Sequence, residues 1–131
     1  MQKDWARAIE LYSQAIALDG KNGIYHNNKA AAHFEAGQLE ESLKEADIAI
    51  ELMPDLAKAH YRRAKILYEL CDSERAVEAI KRAEAILESG EEEKSGLKDV
   101  VKELGDEVKE EWEADSIKGG EEETKEQEFL L

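Results

Sequence analysis

The chain has 131 residues, a net charge of −14 and a single proline, and 38% of its residues are charged. No apolar run approaches the roughly 18 residues of a membrane-crossing helix, and no apolar stretch follows a basic start, so neither a membrane anchor nor a secretory signal is visible. So acidic a chain repels phosphate backbones and anionic lipid surfaces, which argues against nucleic acid and membrane as partners, and the lone Cys71 favours a reducing, cytoplasmic setting.

The first helical stretch runs from Asp4 to Leu18. Trp5, Ala8, Ile9, Tyr12, Ala15 and Ile16 recur there at steps of three and four, the period of one helix face. Asp19-Gly20 is the expected left-handed stop. Gly23 to Ala36 forms a second helix that ends at Gly37. Leu39 to Met53 forms a third, closed by Pro54, which disfavours helical geometry in the residue before it. Asp55 is the expected cap of a fourth helix, Leu56 to Leu70. Asp72 or Ser73 is the expected cap of a fifth, Glu74 to Leu87. Cys71, between these two, is expected to pack near a helix end. After Ser89-Gly90, the series Leu97, Val100, Val101, Leu104, Val108 and Trp112 gives an amphipathic helix among polar neighbours, which suits a cap over the last helix pair.

Charge divides the chain in the same place. Residues 1–87 carry a balance of −3 and residues 88–131 one of −11. Beyond Trp112 the sequence turns to Gly119-Gly120 and Glu121-Glu122-Glu123, with little that is apolar before Phe129-Leu130-Leu131, the composition of a disordered tail. The expected organisation is repeats over 1–89, a capping helix over 90–113 and an acidic disordered tail over 114–131.

The helices repeat. When Gly23–Leu56 is slid onto Ala57–Ser89, Ala30 falls on Ala64, Ala49 on Ala83, His26 on His60 and Tyr25 on Ala59. Within the first helix Ala8, Tyr12 and Ala15 fall where the later copies carry Ser42, Ala46, Ala49 and Ala76, Ile80, Ala83. The chain is thus expected to begin in mid-repeat, and so to be a fragment, a shorter splice form or a mis-started reading frame, or else to self-associate through the uncovered face of Trp5, Ile9, Tyr12 and Ile16. The period of about 34 residues, the small residues at its eighth, twentieth and twenty-seventh places and Pro54 at its thirty-second resemble tetratricopeptide repeat (TPR) proteins. That resemblance implies an all-α fold of stacked antiparallel helix pairs, a TPR α-solenoid, with the first helix of each pair on the inner surface.

Within that family the strings Tyr25-His26-Asn27-Asn28-Lys29-Ala30 and Lys58-Ala59-His60-Tyr61-Arg62-Arg63-Ala64 resemble the carboxylate-clamp subclass. The resemblance implies that Asn28, Lys58 and Arg62 hold the carboxyl end of a partner. It also implies a further lysine and asparagine on a first helix that this sequence does not contain. The physics agrees with such a role. Lys58 and Arg62, four apart, project from one helix face; arginine donates two parallel bonds to a carboxylate, lysine adds a compact charge, and an asparagine amide fixes a backbone.

The implied partners are the Glu-Glu-Val-Asp carboxyl ends of the seventy- and ninety-kilodalton heat-shock chaperones, gripped by a co-chaperone adaptor. The alternative is a scaffold that joins proteins through helix faces with Lys58 and Arg62 merely solvated. A third reading places the chain's own acidic end, from Glu126, in the groove. Glu126, Leu130 and Leu131 also fit an acidic dileucine pattern. His26, His33 and His60 are expected to serve packing rather than metal binding. No nucleophile, base and oxyanion-donor set and no glycine-rich phosphate loop is present, so neither enzyme activity nor a cofactor is expected.

Overall fold

A computed structural model describes residues 4–90 and 96–130, with side chains to residue 113. The described residues form six helices: α1 (Trp5–Leu18), α2 (Gly23–Glu35), α3 (Leu39–Leu52), α4 (Ala57–Glu69), α5 (Ser73–Ser89) and α6 (Leu97–Leu130). Each helix packs against the next, and α4 also touches both α2 and α6. These three make one layer, while α1, α3 and α5 form the other. The expected all-α stack of helix pairs is therefore the architecture.

Small residues at the crossings make this spacing achievable. Ala30, Ala46, Ala49, Ala64 and Ala83 are fully buried at repeat-matched places, which lets helix axes approach to about 8–10 Å. Ser42, also fully buried, spends its hydroxyl on the Ala30 carbonyl, donating at 2.6 Å, so α3 can lie against α2 without an orphaned polar group. Apolar contacts divide into two clusters. Ala30, Ala46 and Ile66 join α2, α3 and α4; Ala64, Leu67, Ala76, Ile80, Ala83, Val101, Leu104 and Val108 join α4, α5 and α6.

The capping role of α6 rests on three of the six predicted residues. Val101, Leu104 and Val108 are buried and Leu97 packs at the edge, but Val100 and Trp112 are 40% and 43% exposed. Gly105 brings α6 close to α5, since a Cβ there would stand 3.2 Å from the Ile80 Cγ2. One continuous helix spans the stretch where the sequence predicts a capping helix to 113 and a disordered tail from 114. The side chains of 114–130, the whole of Leu131, and residues 1–3 and 91–95 lie outside the described residues, and the dileucine reading falls there. At the other end α1 packs on α2 with its predicted stripe half-buried and no residue fully buried.

Helix ends correct three expectations. Asp72 caps α5 as predicted, accepting from the Arg75 amide at 3.2 Å. Asp55 does not cap α4: the N-cap is Leu56, with no side-chain bond. α1 ends without a left-handed residue, because Asp19 takes φ −144° and satisfies the Ala15 carbonyl through its own amide. The left-handed stops are at Gly37 (φ 80°) and, one repeat later, at Cys71 (φ 62°). Cys71 is exposed rather than packed; its place is dictated by the turn between α4 and α5, which glycine fills in the preceding copy. A side chain held in this region costs about 1–2 kcal/mol. Cys71→Gly is therefore expected to raise unfolding free energy by about 1 kcal/mol in urea titration, unlike most Xaa→Gly changes.

Candidate functional site

The layer of α2, α4 and α6 carries all three predicted site residues. Asn28 lies half-buried on α2, Lys58 is exposed in the first turn of α4, and Arg62 is half-buried one turn later. Arg62 reaches across to α2, where its guanidinium carbon stands 5.7 Å from the centre of the Phe34 ring. Its direct partner on α2 is therefore Phe34. Burial lowers the Arg62 pKa from its ordinary value, against the opposing pull of Tyr61 and Glu35, and its Nε is buried without a hydrogen-bond acceptor.

Four cations lie close together along α4, Lys58, Arg62, Arg63 and Lys65, and they split between the two layers. Arg63 turns to α3, donating to the Asp47 carboxylate at 2.9 Å. Lys65 stays with Arg62: its Nζ is 5.1 Å from the Phe34 ring centre and 5.9 Å from that of Tyr61. Four cations among the described residues are half-buried: Lys29, Arg62, Arg63 and Lys65. Lys29 and Arg63 are paired with Glu45 and Asp47. Arg62 and Lys65 meet aromatic rings and, among the described residues, no carboxylate within ion-pair distance; Glu35 acts on Arg62 only from farther off. A desolvated cation normally keeps a counter-ion, because burying an isolated charge is costly, so this pair stands out.

Phe34 and Lys65 are two residues that sequence reasoning missed. The signal for Lys65 was available, since residues 58, 62 and 65 share a helical face. Nothing in the spacing marks Phe34, whose role depends on which helix lies beside it. Asn27 was missed as well: it is 8% exposed and its Oδ1 accepts no hydrogen bond.

The far wall of the layer is acidic. The Tyr68 hydroxyl donates to Glu107 on α6 at 3.3 Å. Partial loss of water, together with the Glu111 and Glu107 carboxylates, pushes the Tyr68 phenol up to about 12. Glu103 faces Tyr61 closely enough to raise that phenol too, after the effect of burial. Among the described residues this layer thus has cations along α4 and carboxylates along α6.

Each histidine meets a neighbouring group. His26 Nδ1 meets Glu45 Oε2 at 2.7 Å, and Lys29 meets the other oxygen at 3.1 Å. Burial raises the Glu45 pKa, but the hydrogen bonds from His26 and Lys29 outweigh it and the carboxyl titrates below its ordinary value. His60 donates from Nε2 to the Pro54 carbonyl at 2.8 Å, tying α4 to the turn before it. His33 bonds to Gln38 at the surface. Among the described residues there is no group of three or more potential metal ligands and no helix long and apolar enough to cross a membrane.

No family model matches the chain. The STIP1 homolog of Dictyostelium discoideum is 40% identical over 83 residues, covering 63% of this chain and 14% of that protein. The solved Sgt2 TPR domain of Aspergillus fumigatus superposes with a TM-score of 0.76 at 28% identity, covering 86% of this chain and 70% of that one. The second TPR of Spaghetti (RPAP3), solved bound to the HSP90 peptide SRMEEVD, superposes at 0.61 with 30% identity, covering 63% of this chain and 76% of that one. The chain spans between 11% and 27% of the length of the first curated relatives that it matches.

Proposed function

Because the chain belongs to the tetratricopeptide repeat family and is related to the Sgt2 and Sti1 co-chaperone TPR domains, we propose that it is a cytoplasmic chaperone-binding adaptor whose Asn28, Lys58 and Arg62 grip the carboxyl end of an acidic heat-shock-protein tail. The observation that carries this reading is Arg62, a half-buried guanidinium over the Phe34 ring with no carboxylate within ion-pair distance among the described residues. A terminal carboxylate that meets the guanidinium's outer nitrogens would supply the close counter-charge that it lacks. Lys58, exposed and one turn away, adds attraction that draws the anion in, and the Asn28 amide on α2 donates to it or to the backbone behind it. The peptide SRMEEVD seen on the RPAP3 domain ends in the required chemistry.

The test compares SRMEEVD with its carboxyl-amidated twin by calorimetric titration. The free acid is expected to bind about tenfold to a hundredfold more tightly, the worth of one or more charge-assisted hydrogen bonds. Added salt is expected to weaken the free acid more than the amide. Equal affinities would rule out the carboxylate grip and leave docking through helix faces as the chain's mode of assembly.

A further inference from the structure

Lys65 is not among the residues that hold the terminal carboxylate in the reading above, yet it shares the condition of Arg62. It is half-buried, its ammonium lies between the Phe34 and Tyr61 rings, and no carboxylate of the described residues meets it. We propose that Lys65, held by Phe34 and Tyr61, forms a second anion-binding position in the groove, which receives the acidic side chain two residues before the ligand's last residue. This rests on the carboxylate-binding reading of Asn28, Lys58 and Arg62 and adds a sequence requirement to it.

The spacing sets the register. Residues on α4 rise about 1.5 Å each, so Lys65 lies about 7–8 Å along the axis beyond the midpoint of Lys58 and Arg62. An extended peptide rises about 3.3 Å per residue and turns successive side chains to opposite sides. A chain end seated between Lys58 and Arg62 and running along α4 therefore brings its antepenultimate side chain level with Lys65 and on the same side as its last one. The penultimate side chain faces away and escapes this readout.

The chemistry sets the charge. An ammonium has three donors, and ring faces accept them weakly. The other half-buried lysine, Lys29, spends its ammonium on Glu45 at 3.1 Å. Lys65 has the same need with no such neighbour. The rings hold it in place without neutralising it, so an incoming carboxylate meets a cation that is already ordered and partly stripped of water. Arg62 shares Phe34 with it, and the two cations are separated by one helical turn. Two anions spaced two residues apart can be read together by this ladder, whereas one anion engages only its lower half.

The experiment uses SRMEEVD, SRMEQVD and amidated SRMEEVD against the full chain and its Lys65→Met variant, with circular dichroism melting as a check on folding. The full chain is expected to lose about tenfold in affinity on passing from SRMEEVD to SRMEQVD. The variant is expected to bind both free-acid peptides alike, at about the level of the full chain with SRMEQVD, and still to prefer the free acid over the amide. A full chain that ignores the glutamate-to-glutamine change while still discriminating against the amide would overturn the second position and leave the terminal grip standing. So would a Lys65→Met variant that weakens both free-acid peptides equally. Loss of discrimination between acid and amide in the full chain would instead remove the reading on which this one rests. Because the peptide change needs no altered protein, the result stands even if the variant folds poorly.

Discussion

Leu67→Ala is expected to lower unfolding free energy by about 2–5 kcal/mol, the range for truncating a fully buried leucine. Leu67 has no exposed surface and lies where α4 meets α5 and α6, among Ala76, Ile80, Val101 and Val108. Its neighbours along α4 are small (Ala64) or already committed, so the gap left by the lost side chain cannot close by repacking one residue. Domains of this kind have about 5–15 kcal/mol in all, which makes the loss a large share of the whole. Ile66, the preceding residue, points about 100° away and belongs to the other cluster, with Ala30 and Ala46. In a stack held by nearest-neighbour contacts, damage at one interface frees the elements beyond it first. Leu67→Ala should accordingly expose α5 and α6 to amide exchange before α2 and α3, and Ile66→Ala should reverse that order. Leu11→Ala, at a site 47% exposed, is expected to stay within about 0.5 kcal/mol. A Leu67→Ala loss below 1 kcal/mol in urea titration would contradict the placement of Leu67 at this seam.

Most of the architecture could be read because its determinants are local and repeated. Ala30 and Ala64, or Ala49 and Ala83, are small for the same reason in each copy, and two occurrences of one constraint reveal the period. Asp72 was legible as a cap because the N-cap requirement falls on a single residue. Asp55 was not, since Leu56 takes the cap position and the turn after Pro54 is held from elsewhere, by the Leu56 amide to the Met53 carbonyl and by His60 to the Pro54 carbonyl. Cys71 shows the opposite case. Composition gives no hint that a cysteine adopts a left-handed φ, but its repeat equivalent is Gly37, and the comparison of copies contained the answer. Val100 and Trp112 were assigned to the buried stripe by periodicity alone. Periodicity finds a face but not its width, and α6 meets α5 and α4 along a seam narrower than its apolar stripe.

The candidate site was legible in part for a related reason. Lys58 and Arg62 are linked by spacing within one helix, and Asn28 by its repeat position. What distinguishes Arg62 from Arg63 is absent from that pattern. Adjacent arginines on α4 face different layers; one finds Asp47 and the other finds Phe34. Pairing across helices depends on the crossing geometry, which no single segment encodes. The same holds for Glu45, whose two partners on α2 are 19 and 16 residues away in sequence.

Arg62→Met is expected to move stability and binding in opposite directions. The guanidinium gives up solvent for a ring contact, and its buried Nε donor is unpaired; an unsatisfied buried donor costs about 1–3 kcal/mol, whereas the cation–ring contact returns about 0.5–2 kcal/mol. Methionine keeps the unbranched apolar stem and adds a favourable sulfur contact to Phe34, without a charge to desolvate. Unfolding free energy is therefore expected to be unchanged or to rise by up to about 1 kcal/mol. Affinity for SRMEEVD should fall by about a hundredfold, since the loss removes both the bidentate donor and the charge. Arg62→Lys is expected to recover part of the charge but not the paired bonds, and so to lie between the two. Lys58→Met, at an exposed position, should weaken binding by about tenfold, with most of that loss vanishing in high salt. Thermal melts and peptide titrations on the same preparations decide the matter. If Arg62→Met melts well below the unaltered protein and binds the peptide as before, then Arg62 serves to hold α2 against α4, and its missing carboxylate has no bearing on ligand recognition.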